Sequence, residues 1–121
     1  AEIGAIADKL APAEGEAVVV KNFPNAFVGT DLDARLKALG ATRLVVAGFM
    51  THMCINSTAR GAFNLGYAVS VPASATATRA LPAPGGGTVS AAALQTAALA
   101  ALADLFAVVV PAVDDIPDTD D

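Results

Sequence analysis

Residues 43–55 read Arg-Leu-Val-Val-Ala-Gly-Phe-Met-Thr-His-Met-Cys-Ile, an apolar run that leads directly to the only cysteine of the chain. The branched apolar residues predict a buried strand, and residues 51–65 predict the helix that follows it. Cys54 therefore lies where a strand passes into a helix. The free N–H groups and the positive dipole end of a helix start favour a thiolate, so we expect a nucleophile. The alternative is an inert thiol buried under the helix.

Strand and helix patterns alternate along the rest of the chain. Strands are predicted at residues 17–21, 43–47, 67–71 and 106–110, and helices at 2–11, 31–39, 51–65 and 88–105. Thr30 and either Thr88 or Ser90 are predicted helix caps. This alternation predicts right-handed βαβ units and a three-layer α/β/α, Rossmann-like fold with a parallel sheet. We assign residues 1–110 to one domain and the acidic, proline-broken residues 111–121 to a tail.

Composition and charge exclude several classes of function. The chain carries 12 acidic and 7 basic residues, and this negative balance disfavours nucleic acid and anionic membranes as partners. One cysteine and one histidine are too few for an ordinary zinc site, so we expect no metal and no cofactor. We find no secretory signal and no run long enough to span a membrane. A free thiol fits the cytoplasm, where we expect the protein.

Lys21 is the second candidate for chemistry. It ends the predicted strand 17–21, and Cys54 follows the next predicted strand. Parallel strands bring their carboxyl ends to one edge of a sheet, so both side chains are expected at the edge where open α/β folds bind ligands. The Lys21 ammonium would there favour the Cys54 thiolate and stabilise developing negative charge. A strand-end lysine that reaches into water is the equally weighted alternative.

Two short motifs resemble those of a known family. Gly48, Thr51 and Cys54 form a Gly-x-x-Thr-x-x-Cys pattern similar to the signature of the isochorismatase-like cysteine hydrolases, and Val18-Val19-Val20-Lys21 resembles the lysine strand of that family. The resemblance covers residues 1–110. It implies a three-layer α/β/α fold with a six-stranded parallel sheet.

The resemblance also implies a catalytic apparatus. Lys21 and Cys54 would be two members of an Asp–Lys–Cys triad. A cis peptide bond between Phe49 and Met50 would let the N–H groups of Met50 and Cys54 form an oxyanion hole. The implied activity is hydrolysis of a C–N, amide-type bond of a small molecule, with Cys54 as nucleophile. A non-catalytic α/β module or assembly subunit of the same fold is the alternative.

The chain departs from the family pattern at the aspartate. In the family this residue ends an early strand, but none of the four predicted strands carries one, and Asp8, Asp31 and Asp33 lie on predicted helices. We therefore expect an incomplete sheet with exposed edges. Either the sequence is part of a longer protein, or a homo-oligomer or a complementing chain supplies the missing strands and the base.

Aromatic residues and the histidine offer further, less specific signals. Phe23 and Phe27 follow Lys21, and Phe49 precedes the proposed oxyanion hole. They are predicted to wall a substrate pocket, and core or interface packing is an equal alternative. His52 lies two residues from Cys54, a spacing at which helical side chains do not face each other. We expect a helix-start or interface histidine.

Overall fold

The computed structural model describes residues 5–117 of the chain. Its strands are β1 (Arg43–Val45), β2 (Gly48–Phe49), β3 (Ala68–Pro72), β4 (Thr76–Ala77), β5 (Leu81–Pro82), β6 (Thr88–Val89) and β7 (Val108–Val110). Its α-helices are α1 (Leu32–Ala38), α2 (Asn56–Asn64) and α3 (Ala91–Leu105). A π-helical turn, Thr51–Ile55, leads into α2.

The main sheet has three strands in the order β1-β3-β7, all parallel. Leu44 lies opposite Val69, and Val71 lies opposite Val109. The short strands β2 and β4, which follow β1 and β3 in the chain, form a second parallel pair. Strands β5 and β6 form an antiparallel pair. The parallel sheet predicted from the alternating pattern is confirmed. Helices α2 and α3 each follow a strand and return the chain to the edge of the sheet where that strand began, so the next strand runs in the same direction.

The core lies on one face of the sheet. Val69 and Val71, which alternate along β3 and so share a face, are buried in one cluster with Ala59 of α2 and Leu102 of α3. Leu36 of α1 packs against the same cluster. On the opposite face Val45 and Val108 are exposed. The residues described here thus form two of the three predicted layers, with all three α-helices on one side.

The predicted strand at residues 17–21 is wrong for the described chain. It pairs with none of the described strands, and the Val20 side chain is 82% exposed. A β-branched run becomes a strand only when a neighbour accepts its backbone hydrogen bonds. Such a neighbour is missing beside this run among residues 5–117.

The predicted helix at residues 2–11 is also largely wrong. Residues 1–4 lie outside the described residues, and the remainder forms only a 3₁₀ turn, Asp8–Leu10. Ile6 and Leu10 are exposed. Helical spacing of apolar residues stabilises a short helix only when that face packs against another element.

The later helices agree better with the sequence pattern. Ser90 caps α3, where its hydroxyl oxygen accepts a hydrogen bond from the Ala93 N–H at 3.1 Å. Thr30 lies one residue before Asp31, which is the N-cap residue of α1. The Thr30 hydroxyl oxygen accepts a hydrogen bond from the Leu32 N–H at 3.3 Å. None of the described helices has the length and apolar character needed to cross a membrane. Of the predicted tail, residues 118–121 lie outside the described part.

Candidate active site

The π-helical turn presents Cys54 at the carboxyl edge of the sheet. The Met50 carbonyl accepts hydrogen bonds from the N–H groups of Met53 and Ile55, at 3.0 and 3.3 Å. Thr51 and Ile55 are both buried and anchor the turn in the protein. Cys54 lies between these anchors and remains partly exposed. The turn therefore holds the thiol at the surface of a rigid element. π-helical turns of this kind often occur at functional sites.

Lys21 and Cys54 come together in the structure. The Lys21 ammonium lies 3.4 Å from Cys54 Sγ and also donates a hydrogen bond to the Phe23 carbonyl at 3.0 Å. The two residues are 33 positions apart, so only the tertiary fold can produce this contact. The peptide bond between Phe49 and Met50, just before the turn, is cis.

The loop after Lys21 is held by helix α2 rather than by the sheet. The Thr58 hydroxyl oxygen accepts from the Ala26 N–H at 3.0 Å and donates to the Pro24 carbonyl at 3.2 Å. The Asn25 amide lies against Gly61, where a Cβ would stand only 2.6 Å from Asn25 Nδ2. Gly61 therefore permits the close approach of the loop. Sequence reasoning missed this anchor, because a polar residue and a glycine inside a helix predict no particular contact.

The three phenylalanines do not share one environment. Phe23 and Phe49 are 55% and 72% exposed; Phe23 lies two residues after Lys21, and Phe49 directly precedes Met50. Phe27 instead stacks on Tyr67, with ring centroids 6.0 Å apart, and packs against the core. The prediction that Phe27 walls the pocket of Cys54 is therefore not supported by its position. The core-packing alternative describes it better, since Phe27 packs against the same core cluster as Leu36 and Leu44.

An apolar cavity of about 260 Å³ lies beside Phe27. Leu36 and Leu44 also line it, whereas Lys21 and Cys54 do not. It opens next to the exposed edge strand β1 and is separate from the thiol site.

The described contact of His52 is with the chain that follows β4. Its Nδ1 atom lies 2.7 Å from the hydroxyl oxygen of Thr78, which follows β4. The expectation of a histidine at a helix start agrees with this position. Thr78 was not singled out from the sequence, because it falls in a stretch that reads as a long loop.

The titration of Asp33 and Tyr67 is perturbed by a contact remote from Cys54. The Asp33 carboxylate accepts hydrogen bonds from the Lys37 ammonium at 2.8 Å and the Tyr67 hydroxyl at 2.6 Å. The bonds from Lys37 and Tyr67 hold the pKa of Asp33 below its usual range. The same bond to Asp33 raises the pKa of Tyr67 to about 12. The contact joins α1 to the start of β3.

A catalytic carboxylate is missing from this part of the molecule. Among residues 5–117, neither Lys21 nor Cys54 forms a hydrogen bond or ion pair with an aspartate or glutamate. The same residues contain no group of three or more histidine, cysteine, aspartate or glutamate side chains placed to hold a metal ion.

Comparison with known protein families identifies the family of the chain. The family model described as the isochorismatase domain matches residues 2–114. The chain belongs to the isochorismatase family. The family and fold predicted from the two motifs are thereby confirmed.

Individual relatives and solved structures agree with this assignment. The chain is 38% identical over 113 residues to a secreted isochorismatase effector, Isc1, of Verticillium dahliae. The match covers 93% of the chain and 57% of that protein. It is 40% identical over 72 residues to the ureidoacrylate amidohydrolase RutB of Stutzerimonas stutzeri, covering 60% of the chain and 29% of that protein.

Two crystal structures show the same fold. An isochorismatase from Pseudomonas putida KT2440 superposes with a TM-score of 0.88 at 39% identity, covering 93% of the chain and 58% of that protein. A cysteine hydrolase from Pseudomonas syringae pv. phaseolicola gives a TM-score of 0.83 at 33% identity, and the match covers 87% of the chain and 49% of that protein. The isochorismatase family thus includes hydrolases, and this chain spans about half the length of the relatives it matches.

Proposed function

We propose that the complete protein is a cysteine hydrolase that cleaves a C–N, amide-type bond of a small molecule. The observation that carries the proposal is the 3.4 Å contact between the Lys21 ammonium and Cys54 Sγ at the carboxyl edge of the sheet. An ammonium beside a thiol favours the thiolate, which is the nucleophilic form. The amidohydrolase and cysteine hydrolase names of two relatives support the same chemistry.

The proposed reaction has two stages. The Cys54 thiolate attacks the amide carbonyl carbon, and the C–N bond breaks as a thioester forms and the amine leaves. Water then attacks the thioester carbon, which releases the carboxylic acid and restores the thiol. The N–H groups of Met50 and Cys54 would stabilise the oxyanion of both tetrahedral intermediates, because Met50 directly precedes the π-helical turn and Cys54 lies within it. The Lys21 ammonium would stabilise the thiolate between turnovers.

A general base is still required, since the thiol must lose a proton and the leaving amine must gain one. We propose that an aspartate outside this chain has that role, supplied by a further segment, a second copy or a complementing chain. Phe23 and Phe49 are proposed to contact the substrate, because both are exposed and lie close in sequence to Lys21 and to the turn that carries Cys54. We place the protein in the cytoplasm on the basis of its free thiol, although the relative in Verticillium is named a secreted protein.

A non-catalytic role is the second candidate. The observation in its favour is the lack of a described carboxylate at Lys21 and Cys54. A protein of this kind would keep the fold and assemble with partners, but it would turn over no amide.

Trapping of the thioester tests the proposal. The complete protein is incubated with a panel of primary amides and ureides and then quenched in acid, and its intact mass is measured. We expect an acyl adduct on Cys54 that is absent in Cys54→Ala and Cys54→Ser variants of the same fold. Turnover that survives in Cys54→Ala would contradict a nucleophilic role for the thiol. Failure of every amide in a correctly folded, complete protein would favour the non-catalytic candidate.

A further inference from the structure

Cys54 and Thr58 lie four residues apart, where the π-helical turn passes into α2. Side chains at this spacing share one face of a helix. Residues 21–26 contact both of them. The Lys21 ammonium lies 3.4 Å from Cys54 Sγ, and the backbone at positions 24 and 26 is hydrogen-bonded to the Thr58 hydroxyl. One helix face therefore contacts this segment at two points, the thiol and the hydroxyl.

The Thr58 hydroxyl forms both of its described hydrogen bonds with the loop. It donates to the Pro24 carbonyl at 3.2 Å and accepts from the Ala26 N–H at 3.0 Å. A hydroxyl carries one proton, so none remains for the helix carbonyl four residues earlier, to which a threonine inside a helix often donates. Threonine is also a poorer helix former than alanine. The contact with the loop therefore accounts for a threonine at this position.

Lys21 is bonded to the same loop. Its ammonium donates to the Phe23 carbonyl at 3.0 Å, and the next residue, Pro24, supplies the carbonyl that Thr58 holds. Residues 17–21 pair with none of the described strands, so the sheet formed within residues 5–117 does not fix Lys21. An exposed charge on a long side chain contributes little unless its geometry is restrained. The bonds to Thr58 restrain the loop three residues after Lys21.

The remainder of the loop is bonded internally. Asn25 Oδ1 accepts from the backbone N–H two residues later at 3.0 Å, and the Thr30 hydroxyl donates to the Ala26 carbonyl at 2.6 Å. These bonds keep the loop compact, so its position relative to α2 depends on where it contacts that helix. Thr58 and Gly61, three residues apart on α2, are two such contact points.

We propose that Thr58 is a positioning residue, which holds the loop so that the Lys21 ammonium stays against Cys54 Sγ. The inference rests on the proposed function, in which this ammonium stabilises the thiolate. The Thr58 hydroxyl is bonded to the loop backbone, so Thr58 acts through Lys21 and not on the substrate. The hydroxyl, rather than the size of the side chain, is the group that matters.

Alkylation of Cys54 by iodoacetamide, followed as a function of pH in the complete protein, tests this role. Thr58→Val removes the hydroxyl but keeps the shape of a side chain that also lines the apolar cavity beside Phe27. We expect the rate at neutral pH to fall about twofold to fivefold, the range for loss of an exposed ionic contact, and the midpoint of the pH profile to rise. Thr58→Ser should restore both. Thr96→Val, at an exposed threonine of α3, is the control and should change neither.

A combination with Lys21→Met separates positioning from a general structural effect. If Thr58 acts through Lys21, Thr58→Val should change the rate little in a protein that already carries Lys21→Met. A full effect of Thr58→Val in that protein, or no effect of Thr58→Val alone, would overturn the inference. Thr58→Ala is measured in parallel, because it also removes the hydroxyl and favours the helix should valine disturb the fold.

These outcomes are distinct from those that test the hydrolase, since alkylation requires no turnover. Coupling between Thr58 and Lys21 without hydrolysis of any amide would support the positioning role and contradict the hydrolase. Hydrolysis that depends on Cys54 but has the same kcat/KM and pH profile in Thr58→Val as in the wild type would overturn the positioning role and leave the hydrolase standing.

Discussion

Lys21 Nζ and Cys54 Sγ lie 3.4 Å apart, although Lys21 belongs to a segment that pairs with no described strand. Helix α2 makes this contact possible, because Thr58 holds the loop that follows Lys21. The candidate site therefore depends on loop-to-helix hydrogen bonds as much as on the sheet. The predictions below concern the complete protein.

Removal of the Lys21 charge should slow the reaction of Cys54 with iodoacetamide at neutral pH. The proposed role of the ammonium is to stabilise negative charge on the sulfur, and a charge-assisted contact of this type typically contributes about 1.5–3 kcal/mol. That range sets an upper limit, because the contact is exposed to solvent. We expect Lys21→Met to react several-fold more slowly, with Lys21→Arg in between.

The control for this measurement is Lys37→Met, which removes an ammonium from α1. If Lys21→Met and the wild type were alkylated equally fast, the ammonium would have no influence on the thiol.

Gly61→Ala should shift the loop that carries Asn25 while changing stability little. The new methyl group would lie 2.6 Å from Asn25 Nδ2, and Asn25 Oδ1 would lose its hydrogen bond from the Phe27 N–H. That loss of about 0.5–1.5 kcal/mol is offset by about 1 kcal/mol of helix propensity. We therefore expect the free energy of unfolding in urea to change by less than about 1 kcal/mol, and Cys54 alkylation to slow.

Gly85→Ala serves as the matched substitution, since no atom lies within 4 Å of its added Cβ. It should leave the alkylation rate of Cys54 unchanged. Wild-type alkylation in Gly61→Ala would show that the loop position does not control the contact of Lys21 with the sulfur.

Tyr67→Phe should remove part of the loss of stability at high pH. The bond to Asp33 raises the pKa of Tyr67 from 10.0 to about 12, so the folded state retains this proton more tightly than the unfolded chain. The contribution is complete below pH 10 and is lost as pH rises toward 12. We expect the wild type to lose more stability than Tyr67→Phe between these limits, measured as urea midpoints. Parallel midpoint curves would contradict the assignment.

Leu102→Ala should destabilise the protein strongly, because Leu102 is fully buried between α3 and the sheet. Truncation of a buried leucine costs about 2–5 kcal/mol, which combines lost burial with the cavity left behind. Leu105→Ala, three residues later on the same helix and exposed, should cost far less. Similar unfolding free energies for the two variants would show that the packing of α3 against the sheet differs from that described.

The sequence predicted the parts of the site that lie within one element or follow from its order. Residues 43–55 predicted a strand, a turn and a helix with Cys54 between them, and the structure has β1, β2, a π-helical turn and α2 there. The motif around Cys54 also identified the family, which the match to residues 2–114 confirms. Side-chain period and turn chemistry are local properties, so a single sequence contains them.

Distant contacts could not be read in the same way. The run at residues 17–21 has the composition of a strand, yet its pairing depends on neighbours that the described residues do not provide. Phe27 and Phe23 occupy similar positions in the sequence, but Phe27 stacks on Tyr67 at the core whereas Phe23 is exposed. The contacts of Thr58 with the loop and of His52 with Thr78 join residues 26 or more positions apart.

The order of residues alone established which side chains can react, namely one thiol and an ammonium that ends an apolar run. The distance between the ammonium and the thiol is determined by the packing of α2 against the loop after Lys21. Composition and periodicity act over a few residues, whereas a hydrogen bond across 33 positions requires the backbone between them to be folded first.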